Sequence, residues 1–408
     1  MSFSRREFLH TLITQGPLVA LGTGFINVSV LAQPSANAFN FSNIGPLQAP
    51  NKDGLSLPKG FTSRIVARSG EPVGASNYQW HQSPDGGACF SAQNGGWIYV
   101  SNAEEYFPNA GVSAIHFDVD GRIKNAYRIL SESEGNCAGG ATPWQTWLSC
   151  EEKDCGAVYE TFPKGDKPAV KQPALGYFKH EAVAVDTQRG QLYLTEDEKD
   201  GCLYRFTPKN ALPDLSQGKL EVAVVDMDAI LNGSVKDGAK VSWAELLNAN
   251  PVITDKDEPY QLRTRHQVPN AAKFKGGEGI WYKDNQILFS TKRDNKIWRL
   301  DVASETLSVF YDAHKLENPE LAGVDNLTAN AQGDLLVAED GGDLQIVLLN
   351  EKGEAKPLLQ VKHPHQKNDE SEITGPAFSP DGKRLYFSSQ RGIDNEKRLG
   401  ITYEVMAI

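Results

Sequence analysis

Residues 190–197 read GQLYLTED, and the same pattern returns as GGWIYVSN (95–102), QTWLSCEE (145–152), NQILFSTK (285–292), GDLLVAED (333–340) and KRLYFSSQ (383–390). Each begins at a turn residue, alternates apolar and polar positions with aromatic and β-branched members, and ends polar. A period of two sends successive side chains to opposite faces of an extended chain, so these segments read as strands and not as helices. Their spacing is about 45 to 50 residues with one double-length gap, the repeat of four-stranded propeller blades. The expected fold is all-β: a six-bladed β-propeller over residues 39–408. A short, partly helical insertion at 208–272, with a helix near Trp243–Asn248, fills the double gap between blades 3 and 4. FTSRIVA (61–67) also alternates and precedes the first complete unit. As the outer strand of the last blade it would close the ring and remove its open sheet edges.

The 408-residue chain has a net charge of −11 and no Lys/Arg run, which argues against nucleic acid as a partner. SRREFL (4–9) opens a weakly apolar stretch, Thr11 to Leu31, broken by Gly and Pro, and Ala36-Asn37-Ala38 follows as a small-residue cleavage site. Residues 1–38 therefore look like a twin-arginine export signal that engages the twin-arginine export machinery and leaves no stable membrane anchor. The mature protein is expected to be periplasmic or secreted and a monomer. Five cysteines is an odd number for an oxidising compartment, so at least one is free, metal-bound or paired with another molecule. If Cys137 is a ligand, the other four remain for two bridges or none.

In a propeller the innermost strand of each blade runs along the channel and the second returns antiparallel, so the start of one and the end of the other share a mouth. The first strands begin near Cys137 in NCAGGATPWQTWLSCEE (136–152), Glu181 in KHEAVAVD (179–186), Glu278 in GGEGIWY (276–282), Asp325 in GVDNLTA (323–329) and Glu372 in SEITGPAFS (371–379). The second strands end at Asn102 and Glu104, Glu151 and Glu152, Glu196 and Asp197, and Glu339 and Asp340. Carboxylates crowded in one channel repel unless they are protonated or neutralised by cations. Carboxylates suit calcium, magnesium or manganese, while a thiolate calls for iron, zinc or copper, so a mixed cluster is expected. Asp85-Gly86, Asp120-Gly121, Asp200-Gly201 and Asp381-Gly382 read as strand-end turns. His363 and His365 form an H-P-H pair in a polar loop, and His180 stands ready to orient Glu181. The chain has no G-x-S-x-G elbow, Walker A loop or dinucleotide fingerprint.

The run NCAGG (136–140), TPW (142–144) and CEE (150–152), followed by KHEAVAVD, YLTEDEKDGCLYRF (193–206) and a late Glu278-Gly279, resembles the PhoX-type alkaline phosphatases. The resemblance covers nearly all of the mature chain. It implies a six-bladed propeller whose axial cluster of Fe3+ and Ca2+ hydrolyses phosphate monoesters. By that resemblance Cys137 is an iron ligand, and Glu181, Glu278 and Asp325 are shared between iron and calcium. Glu104, Glu151, Glu152 and Glu372 fall in the calcium shell. Asn102, in an N-x-E element, would donate to a phosphate oxygen and act with Glu278 in catalysis. The chain departs from longer members where they carry an arginine shortly before the later glutamate: here the segment is KFKGGEG (273–279), with Gly276 in that region and Lys273 or Lys275 as replacement point charges. Two other readings share the fold: a calcium-dependent lactonase-like hydrolase and a non-catalytic binding scaffold.

Overall fold

Six antiparallel sheets radiate from a common axis in a computed structural model that describes residues 38–235, 238–253, 263–362 and 371–408. The expected export segment up to residue 37 and the His363/His365 pair lie outside the described residues. Blade 1 is built from Pro84–Ser91, Trp97–Ala103, Gly111–Phe117 and Ile123–Leu130, from axis to rim. Blade 2 follows with Asn136–Ala141, Trp147–Glu151, Val158–Thr161 and Val170–Lys171, and blade 3 with His180–Asp186, Gln191–Glu196, Leu203–Pro208 and Gly218–Val224. Blade 4 contains Gly277–Lys283, Gln286–Thr291, Lys296–Asp301 and Thr306–Asp312; blade 5 contains Val324–Ala329, Leu335–Glu339, Gln345–Leu349 and Ala355–Val361. The innermost strands of successive blades pack side by side, and that of blade 6, Ile373–Phe378, returns to that of blade 1.

The chain ends complete blade 6. After Arg384–Asp394 and Leu399–Ala407, its outermost strand is Phe61–Arg68 from the other end of the chain, with Phe61 opposite Ala407 and Arg68 opposite Ile401. The buried Glu404 carboxylate accepts from Arg64 at 2.7 Å, from Arg384 at 2.7 Å and from the Tyr386 hydroxyl at 2.6 Å. This network pins the spliced strand to its partners, because a buried carboxylate left without donors would be costly. The lead-in is ordered as well: Phe39 is fully buried edge-on to Phe61 and Phe378, and Leu55–Ser56 extends blade 5.

The double gap resolves differently from the expected helix at Trp243–Asn248. Ser242–Glu245 is a fifth strand paired with Gly218–Val224, and the Arg205 guanidinium lies 4.4 Å from the centre of the Trp243 ring. SWAE alternates, and a neighbouring sheet edge satisfies its backbone, which overrides local helix propensity. The one short α-helix among the described residues is Met227–Leu231, capped by the Asp226 side chain accepting from Ala229 N. Ala239–Lys240 then joins the rim of blade 4.

Apolar side chains fill the spaces between blades, with aromatic stacks such as Tyr99 on Tyr386 and Phe274 against Phe289 and Trp298. Near the axis the backbones themselves approach. A Cβ on Gly140 would sit 2.0 Å from the Val183 carbonyl oxygen, so glycine is what allows blades 2 and 3 to close. Among the described residues, no helix is long and apolar enough to cross a membrane.

Candidate metal centre

Every innermost strand carries a register shift near its start: between Pro84 and Gly87, Asn136 and Gly139, His180 and Val183, Gly277 and Ile280, Val324 and Leu327, and Thr374 and Ala377. A β-bulge leaves a residue unpaired and re-aims its side chain. The residues in or beside these bulges form a series around the axis: Asp85, Cys137, Glu181, Glu278, Asp325 and, in blade 6, Thr374. A second series stands at the ends of the second strands: Glu104, Glu152, Asp197, Lys292, Asp340 and Gln390. In five of the blades its backbone N–H donates to the carbonyl two residues before the inner member, that of Ser83, Gly135, Gly276, Gly323 or Glu372. One repeated hydrogen bond thus sets both series at the same height.

Four sets of donors lie within 4.8 Å of one another: Cys137, Glu152 and Glu181; Glu181, Glu278 and Asp325; Asp325, Asp340 and Glu372; and Asp85, Glu104 and Glu372. Shared members make them one chain of sites around the mouth. The Cys137 sulfur is 3.3 Å from Glu181 Oε1 and 3.6 Å from Asp85 Oδ2. Burial, reinforced by the neighbouring carboxylates, pushes Asp85, Cys137 and Glu181 well above their ordinary pKa values. Glu278 and Asp325 also rise, burial outweighing the opposing Lys292 ammonium. Burial and Asp340 raise Glu372 to about 8.

Cations on side chains offset part of this charge. Lys292 Nζ lies 2.8 Å from Glu278, 3.6 Å from Asp197 and 3.7 Å from Asp340. Lys179 reaches Glu152 at 2.7 Å and Asp197 at 3.3 Å, Arg293 reaches Asp197 at 3.1 Å, and Arg391 bridges Glu104 and Glu372 at 3.4 Å each. Burial alone would raise Asp197, but Lys292, Lys179 and Arg293 together hold it below the usual range. Arg398 spans Glu104 and Glu105 and is balanced by the latter. The two series plus Glu372 contribute nine carboxyl groups, so full ionisation would leave five negative charges beyond the four cations among the described residues.

The donor set fits metal ions. Glu181 Oε2 is buried without a hydrogen-bond partner, and Glu278 Oε1 has only the Lys292 ammonium beside it, outside hydrogen-bond geometry. Orphaned carboxylate oxygens at such a depth call for a cation or a proton. Oxygen-only sets such as Asp325, Asp340 and Glu372 suit calcium, magnesium or manganese, and the set holding the thiol suits iron, zinc or copper. All five cysteines are free.

Other residues singled out in the sequence serve elsewhere. Asn102 does not face the mouth: its Nδ2 donates to the Cys137 and Ala138 carbonyls at 2.9 and 2.8 Å, and its Oδ1 accepts from Trp147 and Ser149. It clamps blade 1 to the bulge that carries Cys137, and both amide protons are engaged. Glu151 points away from Glu152, as adjacent strand residues must. Its two oxygens accept from the backbone N–H groups of Glu134 and Ala157. Glu339 repeats this with Ala322 and Gln345, and Glu196 does so in part with Cys202. These first glutamates are brackets for strand-end loops, and only the second acid of each pair joins the ring. Glu151→Gln is therefore expected to cost about 1–3 kcal/mol of stability in urea unfolding, with metal content unchanged.

Glu372 lies in the ring but is offset by two residues from the equivalent position, which Thr374 holds. His180 does not orient Glu181: its Nε2 contacts the Gly176 carbonyl at 3.0 Å. Lys273 donates to the Arg265 carbonyl, and Lys275 is exposed. Asp85, whose Asp-Gly pair reads as a turn, is a ring member. Lys292, Lys179, Arg293 and Arg391 carry no sequence signal of their own, because single basic residues at strand ends are common and only the fold gathers these four on the acids.

The fold is shared with solved structures. Pseudomonas fluorescens PhoX in complex with vanadate, a transition state analogue, superposes with a TM-score of 0.71 at 18% identity, covering 89% of this chain and 97% of that one. A protein of unknown function from Bacteroides thetaiotaomicron gives a TM-score of 0.51 at 10% identity, covering 88% and 84%. No curated protein shows significant similarity to the chain. The sequence profile of the family described as Alkaline phosphatase PhoX matches residues 108–167 and 153–392, more than half of the chain. With that extent of match, and the ring built on the residues that carry the likeness, the chain belongs to the PhoX alkaline phosphatase family.

Proposed function

We propose that this protein is an exported phosphatase that hydrolyses phosphate monoesters at a cluster of ferric iron and calcium ions in the mouth of the propeller. The observation that carries this reading is the bulge register, which brings Cys137 together with Asp85, Glu181, Glu278 and Asp325 in a member of the phosphatase family. Cys137 would hold iron, with Glu181 and Glu278 shared between iron and calcium. Asp85, Glu104, Glu152, Asp325, Asp340 and Glu372 would complete calcium sites. When bound, the ions supply the positive field and Lewis acidity that attract a phosphate dianion and stabilise a departing alkoxide. The chain's own contribution is placement: backbone bulges aim the ligands, the Asn102 clamp fixes the Cys137 loop, and Arg391 and Lys179 each bridge two carboxylates, Glu104 with Glu372 and Glu152 with Asp197, and offset their repulsion. A lactonase-like site served by calcium alone would leave the thiol among the acids without a role.

Elemental analysis paired with phosphate release from an aryl monoester tests the reading. Iron and calcium in stoichiometric amounts, with turnover lost on chelation, are expected; protein without iron would overturn it. The Arg5-Arg6 pair supports export by the twin-arginine route to the periplasm or beyond. Lys at both positions is expected to keep the protein in the cytoplasm, and unchanged export would exclude that route.

A further inference from the structure

The second-strand series is acidic or amide in five blades, and blade 4 alone places a cation there, Lys292. A position that five repeats fill with Glu104, Glu152, Asp197, Asp340 and Gln390 breaks its pattern at one point. Lys292 begins a short 3-10 turn, Lys292–Asp294, and Arg293 follows it. The turn is fixed on all sides. Lys292 N donates to the Gly276 carbonyl at 2.9 Å and Arg293 N to that of Lys275 at 3.1 Å, while Asn295 Oδ1 accepts from Gly323 N at 2.5 Å beside the Asp325 strand. Gly276 has φ +74°, and a Cβ there would lie 3.0 Å from Arg293 Cγ and 3.1 Å from its Nε. The same Cβ would meet Asp197 Oδ1 at 2.9 Å, so a side chain at 276 would crowd the Arg293–Asp197 pair and glycine leaves it room.

Both side chains reach solvent, Lys292 with 26% and Arg293 with 45% of its side chain exposed. Two of the Lys292 partners, Glu278 and Asp340, belong to the donor sets. Arg293 pairs with Asp197, which lies outside those sets, and does so through Nη2. Once cations take Glu278 and Asp340, those carboxylates attract Lys292 less, and its ammonium stands beside a guanidinium fork of which only Nη2 is engaged by Asp197. Neighbouring cations disfavour each other unless an anion joins them. The complementary group is a compact oxyanion that carries two charges and several acceptor oxygens.

We propose that Lys292 and Arg293 form the anion clamp of this site, binding the non-bridging oxygens of a dianionic phosphate monoester in preference to a monoanionic diester. The proposal rests on the phosphatase reading and assigns the substrate-binding role to blade 4. The clamp reaches the mouth from the end of a second strand, and Gly276 provides the space.

The test compares wild-type holoprotein with Arg293→Ala and Arg293→Lys, each assayed for metal content, for inorganic phosphate binding by calorimetry, and for KM with an aryl monoester. Arg293 is half exposed, so its removal spares the fold, and circular dichroism checks this. Arg293→Ala is expected to keep wild-type metal content while phosphate affinity falls and KM rises about 10- to 100-fold, the value of one charge-assisted hydrogen-bond pair. Arg293→Lys should recover part of the loss, because the charge remains and the fork does not. Unchanged phosphate affinity in Arg293→Ala, with metals in place and an active wild type, overturns the clamp alone. A wild type without metal and without phosphate release overturns the phosphatase reading and the clamp with it.

Discussion

Cys137→Ser is expected to strip iron from the protein and lower turnover about 100-fold or more, while the propeller stays folded and calcium is retained. The thiol lies between Glu181 and Asp85, and burial with those two negative neighbours opposes its ionisation. A thiolate persists in such surroundings only when a strongly positive ion compensates it. Serine keeps the size and the bulged backbone but is a hard, weakly acidic donor, so an iron site that depends on thiolate loses its defining ligand. Oxygen-only sets such as Asp85, Glu104 and Glu372 do not include the sulfur and should still take calcium. Elemental analysis and loss of a ferric-thiolate absorption band would report this. Wild-type iron in the serine variant would exclude the sulfur as a ligand.

Chelated protein is expected to lose stability as pH rises from about 4.5 to about 8, and calcium should reverse that trend. Burial and the charge on Asp340 lift Glu372 from 4.5 to about 8, and Glu181, Glu278, Asp325 and Asp85 move in the same direction. The folded chain therefore keeps protons that the unfolded chain releases above its ordinary carboxylate pKa. Stability is highest below that value and is lost as pH climbs through the folded one. A tenfold difference in proton affinity between the folded and unfolded chain is worth about 1.4 kcal/mol for each group, so the summed loss is on the order of several kcal/mol. Bound calcium prefers the ionised carboxylates, so its stabilising effect grows over the same window. Urea midpoints at pH 5, 7 and 9, with chelator and with calcium, would show diverging lines. Parallel lines would mean that the ring does not bind cations.

The fold is legible because strand alternation and blade spacing are properties of the sequence itself, and even the spliced strand at Phe61–Arg68 carries the alternating pattern. The site is legible only where one residue of the right chemistry recurs at one register, as with Cys137, Glu181, Glu278 and Asp325. Asp85 escapes because an Asp-Gly pair also signals a turn, and only the bulge between Pro84 and Gly87 distinguishes the two. Glu151 and Glu152 are adjacent in sequence yet opposite in direction, a difference set by strand phase. The role of Asn102 is hidden because its partners, Cys137 and Trp147, come from the next blade, and no local pattern announces such a contact. Trp243–Asn248 suggests a helix in isolation because the edge of Gly218–Val224 that recruits Ser242–Glu245 is a tertiary feature.

The splice of Phe61–Arg68 onto Leu399–Ala407 also governs when the protein becomes itself. During synthesis the earliest blade strand must wait, unpaired, until the last one emerges, which makes circular closure a late and slow event with an exposed edge in the meantime. The ring acids and the thiol are distributed over all six blades, so no partial chain presents the full set. On the proposed function, ion uptake would double as a reading of chain completeness: a ribosome that stops short leaves a polypeptide with a gap in its circle and a charge array that has not converged.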